Sequence, residues 1–120
     1  DGSEISLRAV KFVIALNREL AKPARVTLLA VDPPHFPGVE SRIGTKAVQQ
    51  MHEDSLDQML RDARRSLSRA KLELNERAEI GDAAETILAV ARKEKVDLIV
   101  LGSGSSKVIA QGDIPVTIVR

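Results

Sequence analysis

The sequence predicts an α/β domain with a doubly wound, open and mainly parallel sheet of the Rossmann-like kind. Short apolar runs rich in Val, Ile and Leu alternate along the chain with segments of helical periodicity. The predicted order is α-β-α-β-α-β-α-β, and strands that alternate with helices form a parallel sheet covered on both faces. Any ligand is therefore expected beyond the carboxyl ends of the strands.

Composition limits the possible functions. The 120 residues suit a single domain, 1–120, and the absence of cysteine excludes disulfides, thiol nucleophiles and thiolate metal sites. Eighteen basic and seventeen acidic residues give a net charge of +1, and there are two Phe but no Trp or Tyr. Neither nucleic acid nor a membrane is expected as a partner, and we expect a cytoplasmic protein.

Each element follows from a local pattern. Ser3 is placed to cap a first helix at about 4–21, which Pro23 ends. The other predicted elements are a buried strand at 25–31, a loop at 32–45, a long amphipathic helix at 47–70, an edge strand at 72–80, a helix from 83 to 95, a strand at 96–101, a short helix at 105–111 and a last strand at 115–119.

The segment Gly102-Ser-Gly-Ser-Ser106 follows a buried strand and precedes a helical pattern. Glycines let a phosphate approach the backbone, and a helix N-terminus offers N–H groups and a positive dipole end. The alternative is a tight strand-to-helix turn in which Ser105 is only a cap. The residues alone leave both interpretations open.

Five segments in this order resemble the universal stress protein family over nearly the whole chain. They are DGSE at 1–4, VTLLAVD at 26–32, EIGD at 79–82, DLIVLGS at 97–103 and IPVTIVR at 114–120. The family fold is a five-stranded parallel sheet in the order 3-2-1-4-5. Its members are usually dimeric, and many bind ATP or AMP.

The resemblance implies a set of nucleotide-binding residues. Asp1 would meet the ribose or adenine side, although an acid here is equally suited to favour the start of the first helix. Val31 would meet adenine through its backbone, and only the resemblance suggests this for a strand valine. The phosphates would lie in the family loop G-x2-G-x9-G-[S/T], which begins here at Gly102 and would use Gly102, Ser103, Gly104, Ser105 and Ser106.

The chain departs from the family in two places. The family has its first strand directly before the Asp-Gly-Ser turn, at the centre of the sheet, whereas this chain begins at Asp1. We expect further residues or another segment to fill that position, because unpaired strand edges are rarely tolerated in a core. The loop is also short, so Gly104 matches either the second or the last glycine of the motif.

These patterns predict a stress-response or regulatory protein that binds ATP or AMP, with or without Mg. No catalytic or metal-binding residue is predicted, and any ATP hydrolysis would be weak. The alternative is a nucleotide-free dimeric scaffold with a degenerate loop; an adenylate-chemistry enzyme is disfavoured, since the loop offers only one lysine. His35 and His52 are assigned surface or packing roles.

Two surfaces bear on partners. The terminal strand, with Val116, Ile118 and Val119, carries no charge and lies at the family's sheet edge, so a homodimer through this strand is expected. Arg61, Arg65 and Arg69 form a helical stripe with acids interleaved, which indicates a solvated face more than a binding surface.

Overall fold

The computed structural model describes residues 1–35, 38–102 and 112–119, and these ranges contain four helices and four strands. The helices are α1 (Glu4–Glu19), α2 (Val39–Ile43), α3 (Thr45–Arg69) and α4 (Ala83–Lys93). The strands are β1 (Arg25–Asp32), β2 (Glu73–Ile80), β3 (Ile99–Gly102) and β4 (Val116–Val119). The alternating α/β architecture predicted from the sequence is confirmed.

Most element boundaries differ from the prediction by one to three residues. The predicted loop at 32–45 contains α2, and β1 extends through Asp32. The strand predicted at 96–101 begins only at Ile99 and continues through Gly102. The helix predicted at 105–111 lies outside the described residues.

The strands form two parallel pairs. In the first, β1 pairs with β2 from Arg25 opposite Glu73 to Asp32 opposite Ile80. In the second, β3 pairs with β4 from Ile99 opposite Val116 to Gly102 opposite Val119. Within the described ranges β1 and β3 are not hydrogen-bonded to each other, as the family strand order predicts.

Each strand pair has its own apolar core. In the first half, α3 packs Leu56 and Leu60 against Ala30 of β1, and Leu28 and Met59 adjoin this cluster. In the second half, the buried cluster joins α4 to β3 and extends to β4; it contains Ala84, Leu88, Ala91 and Ile99. Burial of these faces is the main favourable contribution to folding in both halves.

Helices cover both faces of the β3–β4 pair. Ile99 and Leu101 belong to the cluster with α4. Gly102, which has the opposite strand parity, lies against Ile5 of α1. This arrangement is the doubly wound architecture predicted from the sequence.

Ion pairs join the helices to β2 at the surface. Arg64 of α3 donates to Glu76 over 2.8 Å, and this hydrogen bond is the main reason why the pKa of Arg64 is raised. Hydrogen bonds to Glu94 and then to Glu79 raise the pKa of Arg77 in the same way. Arg61 is exposed and lies 3.5 Å from Asp57, as a solvated arginine stripe predicts.

Candidate functional site

The turn that begins α1 is organised by the carboxylate of Asp1. Its Oδ1 atom accepts from the backbone N–H of Ser3 at 2.9 Å and from the hydroxyl of Ser6 at 2.5 Å. Ser3 caps the helix, since its Oγ accepts from the N–H of Ser6 at 3.2 Å. The role of Asp1 as a turn acid is thus present in the structure.

Asp1 also keeps capacity for other contacts. The residue is exposed, and no described residue donates to its Oδ2 atom. A carboxylate accepts through both oxygens, so the turn uses only part of this group. The local role therefore leaves room for the contact that the family resemblance implies.

The same turn lies between the two halves of the molecule. Gly2 has φ +78°, and a Cβ at this position would be 3.0 Å from the Cα of Met59 in α3. Met59 in turn packs against the cluster that contains Ala30, next to Val31 at the end of β1. Ile5, one turn further along α1, contacts Gly102 at the end of β3. The start of α1 therefore lies beside the carboxyl end of β3 and contacts α3 at Met59, which adjoins the cluster that packs on β1.

Val31 and Gly102 both stand at the carboxyl ends of parallel strands. Val31 is the penultimate residue of β1, where it is opposite Glu79 and half-buried. Gly102 is the last residue of β3. This edge is where ligands bind in open parallel sheets, outside the ends of the strands. Ser103, Gly104, Ser105 and Ser106 lie outside the described residues.

Gly102 has a structural reason to be glycine. A Cβ here would lie 2.4 Å from Cγ2 of Ile5, closer than real Cβ contacts allow, and 3.2 Å from its backbone carbon, which is also tight. Gly102→Val would therefore displace α1 even without ligand, so this substitution does not report on phosphate binding alone.

A buried polar cluster at the same edge was missed by the sequence analysis. Nδ1 of His52 is 2.7 Å from Oδ2 of Asp32, and both residues are buried, with 6% and 8% exposure. The ring of His35 lies against that of His52 in a tilted arrangement, with centroids 4.4 Å apart and planes at 35°. Nε2 of His35 is buried and has no hydrogen-bond partner among the described residues.

The sequence held one signal for this cluster. His52 falls at helical spacing between Val48 and Leu56, on the apolar face of α3. A histidine in that row must find a partner when buried. The partner, Asp32, is twenty residues away and could not be identified from local spacing.

No metal site, membrane span or other cleft among the described residues involves the carboxyl ends of β1 and β3. No group of three or more His, Asp or Glu side chains within 1–35, 38–102 and 112–119 is arranged to hold a metal ion. None of the helices described is both long and apolar enough to span a bilayer. An open cleft of 380 Å³ lies between β2 and α4. Its lining includes Arg77, Glu79, Thr86 and Lys93 but none of the predicted site residues.

The fold and this edge define a doubly wound parallel α/β domain. The model of the universal stress protein family matches residues 1–120, and the chain belongs to that family. No individually curated protein matches the chain in sequence.

Several solved structures are similar to this chain. The hypothetical protein MJ0577 is 23% identical with a TM-score of 0.83, and the match covers 99% of this chain and 90% of that one. A universal stress protein in complex with cAMP is 21% identical with a TM-score of 0.69, covering 100% and 90%. The universal stress protein from Archaeoglobus fulgidus in complex with dAMP is 18% identical with a TM-score of 0.67, covering 98% and 90%. At these identities the likeness establishes the fold.

Proposed function

We propose that this protein binds an adenine nucleotide, ATP or AMP, at the edge formed by the carboxyl ends of β1 and β3, and that it serves a regulatory role in the stress response. The observation that carries the proposal is the position of the α1 turn. The turn contacts Met59, which adjoins the cluster on β1, and Ile5 contacts Gly102 at the end of β3, which supports assigning Asp1, Val31 and Gly102 to one site. Two solved relatives in complex with cAMP and dAMP support an adenine ligand.

Each residue has a role in this proposal that its chemistry permits. The exposed Oδ2 of Asp1 would accept from a ribose hydroxyl, while Oδ1 continues to hold the turn. The main chain at Val31 would meet the base. Backbone N–H groups of the glycine- and serine-rich segment 102–106 would bind the phosphates, with or without Mg, because glycines let a phosphate approach the main chain.

Native mass spectrometry of the protein as purified tests the proposal directly. A bound mass equal to that of ATP or AMP would support it, and isothermal titration with each nucleotide would then rank them. Protein that is free of nucleotide as purified and shows no heat with either nucleotide at millimolar concentration would contradict it. That result would favour the alternative of a nucleotide-free scaffold.

Asp1→Asn is the sharpest variant for the site. Its amide oxygen still accepts from Ser3 and Ser6, so the turn is retained while the charge is lost. Since this variant loses a charge-assisted hydrogen bond to a ribose hydroxyl, it should bind AMP about tenfold more weakly with unchanged thermal stability. Arg8→Gln, which breaks the exposed pair with Glu4 on the same helix, is the matched control and should leave affinity unchanged.

We also propose a homodimer through β4. Within the described residues this strand pairs only with β3, and Ile118 is 37% exposed on it. An uncharged strand edge of this kind is open to pairing with a second chain. Sedimentation velocity at micromolar concentration should give a dimer for the wild type and a monomer for Ile118→Lys. A monomeric wild type, or a dimer that survives this change, would contradict the proposal.

A further inference from the structure

The cluster of Asp32, His35 and His52 has no role in the site as proposed so far. Asp32 directly follows Val31 at the end of β1, and His52 reaches it from α3 with a 2.7 Å contact from Nδ1 to Oδ2. Because a carboxylate can only accept, the imidazole N–H is the donor. The two side chains are almost fully removed from solvent.

The cluster is not required to fill space. Leu56 and Leu60 occupy the next positions of the same buried row on α3 and pack against the same strand. Burying two polar side chains costs desolvation energy, and apolar residues of similar volume often serve as well or better in stability. A buried polar pair, unlike an apolar contact, fixes the relative orientation of its two side chains, because a hydrogen bond is strong only over a narrow range of distances and angles.

This pair restrains the main chain at the end of β1. The side chain of Asp32 is held by His52 of α3, and the main-chain carbonyl oxygen of Asp32 accepts from the N–H of Gly81 at 3.0 Å, just after β2. The residue that joins Val31 to the following loop is therefore fixed from two sides. No described group outside the cluster makes a hydrogen bond or ion pair with the His52 ring.

We propose that His52 is a positioning residue for base recognition, acting through Asp32 to fix the main chain at Val31. This inference rests on the proposed nucleotide site. A main-chain group cannot change rotamer to meet a base, so the strength of its contact depends on the position of the strand end. The ring of His35 lies next to that of His52, with centroids 4.4 Å apart.

Hydrogen exchange tests the positioning step without any ligand. In His52→Leu, the Gly81 amide bonded to Asp32 should exchange at least about tenfold faster. The matched internal control is the Ile99 amide, which donates to Pro115 at 2.9 Å in the other strand pair. Because a loss of global stability accelerates both amides equally, the acceleration at Gly81 should exceed that at Ile99 by at least about tenfold. Equal acceleration of both amides would overturn the proposal, because the pair would then only stabilise the whole fold.

Ligand binding tests the consequence for the base. AMP and ribose 5-phosphate share the ribose and phosphate but differ in the base, and protein amide shifts in NMR titrations measure even millimolar dissociation constants. His52→Leu should weaken AMP by about tenfold and ribose 5-phosphate by less than about twofold. His52→Asn should recover most of the AMP affinity, since its amide nitrogen can occupy the position of Nδ1 and donate to Asp32.

The outcomes separate this proposal from the one on which it rests. A wild type that binds neither ATP nor AMP refutes the nucleotide site, while the exchange of Gly81 still decides whether His52 positions the strand end. If wild type binds AMP and His52→Leu binds it equally well, the positioning role is wrong. His35→Phe keeps a ring on His52 and removes Nε2. If only His35→Phe loses AMP, the base contacts His35 directly and the role assigned to His52 is also wrong.

Discussion

At the carboxyl end of β1 a buried imidazole meets a buried carboxylate, whereas at the carboxyl end of β3 a glycine lies against the backbone of α1. The first contact, between His52 and Asp32, is directional and polar. The second, between Gly102 and Ile5, depends on the absence of a side chain. Both fix a strand end at the proposed nucleotide edge, but by different physical means.

The two strand ends should therefore be sensitive to different kinds of substitution. A polar pair fails when one partner is removed, because the other is left buried and unsatisfied. A close backbone approach fails when an atom is added, because the helix must move. Substitutions that remove atoms should therefore damage the β1 end, and those that add atoms should damage the β3 end.

The largest effect is expected for His52→Leu. Asp32 would be left buried without its partner, and the free energy of unfolding should fall by about 3 kcal/mol in a urea titration. The double variant Asp32→Val with His52→Leu removes both polar groups and should recover most of that loss. A double variant no more stable than His52→Leu alone would show that the apolar fit, and not the unpaired carboxylate, dominates.

Gly102→Val should lower the free energy of unfolding by about 2 kcal/mol, because its side chain overlaps Ile5. Ile5→Ala removes the nearest atom, Cγ2, but leaves the backbone contacts. A double-mutant cycle should therefore show favourable coupling between Gly102→Val and Ile5→Ala. Strict additivity would mean that the strand end moves away from α1 without resistance.

The helix caps at the starts of α1 and α4 offer a smaller test. Asp82 caps α4 by accepting from the N–H of Glu85 at 3.0 Å, and Ser3 caps α1. Each change to alanine should lower the free energy of unfolding by about 1 kcal/mol. Asp82→Asn should retain the cap and most of the stability. An Asp82→Ala variant as stable as wild type would show that packing alone fixes the start of α4.

The smallest effect is expected for Arg64→Met, which removes the surface pairs with Glu76 and Asp57 but keeps an apolar stem of similar length. The free energy of unfolding should change by no more than about 0.5 kcal/mol, because exposed ion pairs contribute little. The difference from wild type should shrink further in 1 M salt. A loss as large as that of His52→Leu would mean that surface charges, and not the buried pair, hold α3 to the first strand pair.

The sequence determined the elements and their order because those depend on local periodicity. The apolar face of α3 at 3.6-residue spacing and the apolar run of β1 were readable from the chain. The short α2 was not, since five residues between Gly38 and Gly44 hold little more than one turn of periodicity. The start of β3 was placed three residues early because a continuous apolar run does not mark where pairing begins.

The residues of the candidate site also fall into those that the sequence identified and those that only the structure revealed. Asp1, Val31 and Gly102 could be named from short segments that resemble the family, and their order in the chain was enough to place each on a strand end or turn. Only the tertiary structure paired His52 with Asp32 and set Gly102 against Ile5. Both contacts join residues far apart in the chain, and neither follows from local pattern. Long-range packing, which decides which buried polar group finds a partner and where no side chain fits, is therefore what the fold added to the sequence.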